Sequence, residues 1–197
     1  MWSTVLILIK RMDSGCNRAL TTLTPNGVIN VEKWNLFVQA TLNGQLSIVA
    51  VGKDKKFGTI HITGDVKYKI DPIIDSISAD MLGLVAGEMV QFGFDKNRGD
   101  IDIQASIYSQ KDGFVIEKHK DYPVASNMNL LGGIIGKDVK ATAKYKWDGK
   151  NYIGSNGYSY VNTFDDRFYN VAPQFFPNTK FFIIVSWLEY RYNVVYS

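Results

Sequence analysis

A chain of 197 residues suits one domain with its own core and leaves little room for two. With 46% hydrophobic and 21% charged residues it falls outside the disordered class, and 17 glycines beside 13% aromatics favour a β-rich, turn-rich protein. The formal net charge of +3, from 22 basic and 19 acidic residues, is too small an excess to imply nucleic acid or an anionic membrane as partner, and a single cysteine excludes an internal disulfide and a cysteine-built metal site.

Residues 1–9 read Met-Trp-Ser-Thr-Val-Leu-Ile-Leu-Ile and are followed by Lys10-Arg11. The apolar run is far shorter than the ~20 residues of a membrane-spanning helix. Positive charge follows it instead of preceding it, so it does not read as a signal peptide. Residues 4–9 are expected to be a strand or an ill-ordered start. Residues 13–26, rich in Ser, Thr, Asn, Gly and Pro, are expected to be loop, with Cys16 an incidental thiol within it.

From Gly27 the pattern changes. Residues 28–31 and 34–38 read as strands, Asn43-Gly44 as a turn and 46–51 as a further strand. Residues 53–56 form a charged turn. Residues 59–62 and 66–70 alternate apolar and polar across a Thr63-Gly64-Asp65 turn, and Asp71-Pro72 ends the second run. Residues 73–79 suit either a helical turn or an extended link. Strands follow at 82–86, 90–94, 101–107, 114–116 and 128–135, with polar turns at 95–100 and 111–113 and a loop over 119–127. Residues 139–145 alternate once more, 147–150 is a turn, and the Gly/Asn/Ser/Tyr-rich stretch to Asn162 is expected to be loop. Residues 180–187 are an apolar strand that requires burial or pairing. No stretch shows sustained helical periodicity with caps.

One phrase recurs along this series. Leu82, Leu84 and Ala86 read apolar-x-apolar-x-small, and the same order returns at Leu46, Ile48, Ala50, at Ile101, Ile103, Ala105 and, more loosely, at Met128, Leu130, Gly132. Repetition of one strand phrase is the mark of a stacked architecture. The copies lie 36, 19 and 27 residues apart in chain order, compatible with single coils plus loops and one longer excursion. The expected fold is therefore all-β: a single-stranded β-solenoid (right-handed parallel β-helix) with an aromatic C-terminal cap. In register, Ile48, Leu84, Ile103 and Leu130 form an apolar ladder, and Ala50, Ala86, Ala105 and Gly132 a ladder of small residues. An antiparallel β-sandwich is the competing fold, which the turns also allow.

Candidate chemistry is sparse. His61 sits in an alternating strand with Ile60 and Ile62 on the other face and is expected to face solvent; neither it nor His119 has partners at triad or zinc spacing. Asp165-Asp166 beside Arg167 is the most enzyme-like cluster, because paired carboxylates about 5–9.5 Å apart serve as acid and base in glycoside cleavage. An ion pair or turn cap involving Arg167 is the plainer reading. Asp95, Asn97, Asp100 and Asp102 offer hard oxygen ligands for calcium, without the EF-hand spacing, and enclose an Arg98-Gly99-Asp100 tripeptide read as coincidence. The aromatic-rich end, with Phe164, Phe168, Tyr169, Phe175, Phe176, Phe181, Phe182, Trp187, Tyr190, Tyr192 and Tyr196, suits a cap over the open end of a stack, or else a surface for sugars or a partner.

Leu42-Asn-Gly-Gln-Leu-Ser-Ile-Val-Ala50, Asp80-Met-Leu-Gly-Leu-Val-Ala86, Asp100-Ile-Asp-Ile-Gln-Ala-Ser-Ile107, Leu130-Leu-Gly-Gly-Ile134, Asp166-Arg-Phe168, Ala172-Pro173, Phe176-Pro177 and Ser186-Trp187 occur in that order. Together they resemble the C-terminal β-region of a family of uncharacterised bacterial surface proteins linked to type IV pilus assembly and minor pilins. The resemblance spans residues 27–189, with Gln174 where a second proline is expected and Gln104 where a histidine is common. It implies an extracytoplasmic, cell-surface β-solenoid with a structural or adhesive role, no known catalysis, no cofactor, and partners among surface or pilus components or glycans, not nucleic acid. It also implies an export helix, so residues 1–26 are expected to be a truncated N-terminal extension, 27–162 the solenoid and 163–197 the cap. The alternatives are a carbohydrate-active enzyme (glycan hydrolase or lyase) using Asp165, Asp166 or nearby carboxylates, and a soluble intracellular β-domain.

Overall fold

The computed structural model describes residues 7–10, 17–20, 27–52, 57–93, 95–138, 140–173 and 176–177, with side chains described from residue 27 onward. These residues are mostly β, and their strands are mostly parallel. In chain order the strands are β1 (Ile7–Lys10), β2 (Asn17–Leu20), β3 (Val28–Glu32), β4 (Asn35–Leu42), β5 (Gln45–Val51), β6 (Ile60–Tyr68), β7 (Met81–Ala86), β8 (Val90–Phe92), β9 (Ile101–Ser109), β10 (Phe114–Ile116), β11 (Ala125–Gly136), β12 (Ala143–Trp147) and β13 (Tyr152–Thr163). Short 3₁₀ turns lie at His119–Asp121 and Asp166–Tyr169. No helix among the described residues is long and apolar enough to cross a membrane.

Alternation explains the strands. Along β4, Leu36, Val38, Ala40 and Leu42 are buried while Gln39 and Thr41 between them are exposed, the period of two that extended backbone imposes. The buried sets meet in three parallel ladders. One runs Leu36, Ile60, Val90, Phe114 through β4, β6, β8 and β10. A second runs Ala40, Val66, Ile103, Leu130, Asn162 through β4, β6, β9, β11 and β13. The third runs Ile29, Ile48, Leu84, Ile107, Ile134 through β3, β5, β7, β9 and β11. From β4 to β11 the chain visits the ladders in constant rotation: β4, β6, β9 and β11 each bend from one ladder into the next. The described antiparallel pairings are those of β1 with β2 and β4, and of β12 with β13. Parallel pairing of this extent does not fit the sandwich alternative.

Three expectations are corrected. Leu84 stacks on Ile48 as expected, and Leu130 on Ile103, but Leu84 meets Ile107 and not Ile103. In β5 and β7 the repeated phrase lies wholly within the third ladder, whereas in β9 it starts in the second ladder and straddles the bend. A four-residue displacement keeps every side chain on its original face, so alternation cannot detect it. The turn expected at 63–65 is a bend inside one continuous strand, β6, marked by a register shift against β4. The loops expected over 13–26 and 151–162 contain strands β2 and β13. In β13, turn-type composition is overridden by parallel pairing to β11 and by full burial of Tyr158.

Ile48, Ile62, Leu84, Ile103 and Ile107 are all fully buried in one shared apolar core. Each contributes roughly 1.5–3 kcal/mol relative to exposure. Outside the third ladder lies a second set of small residues, Ser47, Gly83 and Ser106, also buried. Pro173 and Phe176 cover it: a Cβ built on Gly83 would sit 2.6 Å from Phe176 Cδ2 and 3.3 Å from Pro173 Cβ. The C-terminal segment therefore packs along the side of this ladder as far as the described residues follow it. Residues 180–187, Gln174, Phe175 and the aromatics beyond Pro177 lie outside the described residues, as do Cys16 and residues 53–56.

Candidate functional site

Arg167 stands at the centre of the cluster that the sequence marks as most enzyme-like. Asp165 caps the 3₁₀ turn Asp166–Tyr169, accepting the Arg167 backbone N–H at 3.2 Å. The same carboxylate is gripped by the Arg167 guanidinium, with Nε to Oδ1 at 2.8 Å and Nη2 to Oδ2 at 2.6 Å. Nη1 donates to the Ser78 carbonyl at 2.8 Å, across 89 residues of sequence. The guanidinium also lies 5.4 Å from the centroid of the Tyr68 ring. Tyr68 is itself buried, accepts the Leu82 N–H at 3.1 Å, and its phenol is held well above the ordinary range, first by burial. Both the ion pair and the turn cap are present. Asp165 is only 3% exposed while Asp166 faces solvent, so the two carboxylates do not converge on a common space. Both oxygens of Asp165 are taken up by the guanidinium.

Beside this cluster, Asp80 fixes the link at residues 69–80. Its oxygens accept the Gly44 N–H at 2.5 Å and the Ile70 N–H at 3.0 Å, joining two successive bends. Gln104 does the same work where β9 bends, accepting the Tyr68 N–H at 2.5 Å and donating to Asp71 Oδ2 at 2.9 Å. Sequence reading missed both, because the partners just named lie 33 or more residues away except for Ile70. β9 also carries Asp102, Ser106 and Ser109, so Gln104 does not stand out in the sequence, and its burial is seen only in the fold.

The outer side of the second ladder carries a polar row that ends in a half-open groove of about 210 Å³, lined in part by Lys67, Asp71, Asp102, Gln104, Asn129 and Thr163. Lys67 bridges Asp102 at 2.6 Å and Asp65 at 3.5 Å, and Asn129 Nδ2 donates to Asp102 Oδ1 at 2.8 Å. The Lys67 hydrogen bond is the main reason that Asp102 titrates below the usual carboxylate range. This row offers hydrogen bonds to a hydroxyl-rich ligand.

The calcium candidates are dispersed. Asp95 accepts the Asn97 N–H at 3.0 Å, Asp100 accepts the Asn127 N–H at 2.7 Å, and Asp102 belongs to Lys67. Among the described residues no group of three or more His, Cys, Asp or Glu side chains is arranged to hold a metal. Arg98 of the Arg-Gly-Asp tripeptide is turned inward, donating to the Thr63 carbonyl at 2.8 Å and lying 5.7 Å from the Phe92 ring centroid. His61 is on the outer face, as expected, but half-buried: it stacks on Phe37 at 4.7 Å and 10°, and burial lowers its pKa. His119 lies apart in the 3₁₀ turn His119–Asp121. Glu88, not singled out from sequence, is buried and pairs with Lys111. A scan of family models, a search of curated proteins and a search of solved structures each return no match to this chain.

Proposed function

We propose that this chain is a parallel β-solenoid that serves as a non-enzymatic structural or adhesive module of a bacterial cell-surface or pilus-associated protein, outside the cytoplasm. The observation that carries the reading is the constant rotation of the chain through three parallel ladders around one apolar core. A stack of this kind makes a stiff rod from nearest-neighbour contacts and presents long outer faces, which suits a spacer or a binding surface. The commitment of Asp165 to Arg167 supports the non-enzymatic half. Compartment and pilus association rest on the sequence resemblance, and fractionation of the native host tests them directly.

A second reading, a carbohydrate-active enzyme on the same scaffold, draws on the polar groove at Lys67, Asp102 and Asn129. Assaying a glycan panel for both retention and product release separates the two. The structural reading expects no released product, with or without binding. Release that disappears in Asp166→Asn or Asp102→Asn would establish the enzyme instead.

A further inference from the structure

We propose that the β12–β13 ribbon is a docking arm for an anionic lipid surface. It goes beyond the scaffold reading and does not depend on it. β13 starts before the first residue of β11 that pairs with it, Ala125 opposite Gly157, so among the described residues the ribbon's outer half, residues 144–153, has only itself for a sheet. Both its faces are exposed: past Ala143 every residue of β12 is exposed, and so are Tyr152 and Ile153. Isolated two-stranded ribbons are marginal in water, so a partner packed on an exposed face would stabilise this one.

The two faces differ in chemistry. Trp147 lies opposite Tyr152 and Tyr145 opposite Gly154, and directly opposed residues share a face, so Tyr145, Trp147 and Tyr152 form one aromatic side. Trp147 and Tyr152 are 56% and 73% exposed, with ring centroids 5.1 Å apart. Lys144 and Lys146 alternate with them and point to the other side, and Lys150 sits in the connecting turn. Among the described residues none of these three lysines has an ion-pair partner. The ribbon, residues 143–157, holds three lysines against one aspartate, a local excess of two that the whole-chain charge does not locate.

Segregation of the faces decides the partner. A nucleotide stacked on the rings would hold its phosphate on the aromatic side, away from the ammonium groups, and a neutral sugar would make no use of them. A charged bilayer attracts them from the aromatic side, because its potential extends about 8 Å into solution at physiological salt and so reaches across a ribbon one layer thick. Trp and Tyr are the residues favoured at the bilayer–water boundary.

Sedimentation with phosphatidylcholine vesicles, with and without phosphatidylglycerol, tests this on the full chain. The expected result is co-sedimentation with the phosphatidylglycerol vesicles alone, lost in high salt and accompanied by a blue shift of tryptophan emission that is absent in Trp147→Phe. Lys144→Gln/Lys146→Gln should weaken partitioning about 25-fold, at roughly fivefold per lysine. Trp147→Ala/Tyr152→Ala should weaken it about tenfold or more. All four positions are exposed, so thermal unfolding of both variants should match the parent; should either variant unfold, the salt dependence and emission shift of the parent decide. Equal binding to both vesicle types, no binding to either, binding that persists in high salt, or undiminished binding by the folded variants overturns the proposal. So does a preference for single-stranded DNA or a polyuronate without vesicle binding.

Discussion

His61 shows how a side chain on an outer face still carries a pH signature. Its ring lies against Phe37, and desolvation lowers its pKa below the ordinary 6.5, partly opposed by the charge of Glu117. The folded protein therefore binds the His61 proton less readily than the unfolded chain does. The resulting stabilisation is fully present above about pH 6.5 and is lost as pH falls through the lowered folded value. His61→Phe should keep the stack on Phe37 and remove this contribution. Urea midpoints measured from pH 7.5 to 5 should then fall less steeply for the variant than for the parent; parallel curves would mean that the ring is solvated in the folded state.

Glycines at the bends and on the outer row act on whole strands, and here the sequence was a partial guide. Gly132 was legible as the small member of a repeated phrase, but the phrase concealed why it is small. Its φ is +136°, and an added Cβ would lie 2.1 Å from the Ala105 carbonyl oxygen of the neighbouring strand. Gly83 was legible only as an interruption in an apolar run, yet it makes room for Phe176, 93 residues on. The strands themselves could be read because alternation is local. The Ser78–Arg167 bond, the Gln104 bend and the slip between Leu84 and Ile107 could not, because each joins distant segments without disturbing a period-two pattern. The β12–β13 ribbon was hidden differently: whole-chain charge averages away a local excess. Gly132→Ala should cost about 2–4 kcal/mol, adding backbone strain to overpacking. Gly83→Ala should cost about 1–3 kcal/mol and act through Phe176. Hydrogen exchange distinguishes them: Gly132→Ala should expose amides of β9 and β11, Gly83→Ala those of residues 164–173. The same exchange map for both variants would remove the distinction.

At the scale of the molecule, the three ladders make stability a matter of position along the stack. Ile103 is fully buried, with Val66 on one side and Leu130 on the other. Ile134 ends the third ladder among the described residues and is only partly buried, beside a cavity of about 220 Å³ that Phe114, Leu130 and Tyr160 also line. Truncating Ile103 leaves a hole with walls on all sides, so Ile103→Ala should cost about 2–5 kcal/mol. Truncating Ile134 only widens a space that is already open. The loss is then mostly transfer energy, and Ile134→Ala should cost about 2 kcal/mol or less. Because each strand hydrogen-bonds only to its ladder neighbours, the central change should lower amide protection most in β6, β9 and β11, and the terminal one in β11 and the adjoining half of β9. Urea unfolding with unchanged slope, read beside exchange, measures both effects. Equal costs for the two truncations, or exchange effects that spread uniformly, would mean that the stack behaves as one indivisible core, and the rod-like module proposed above would lose its energetic basis.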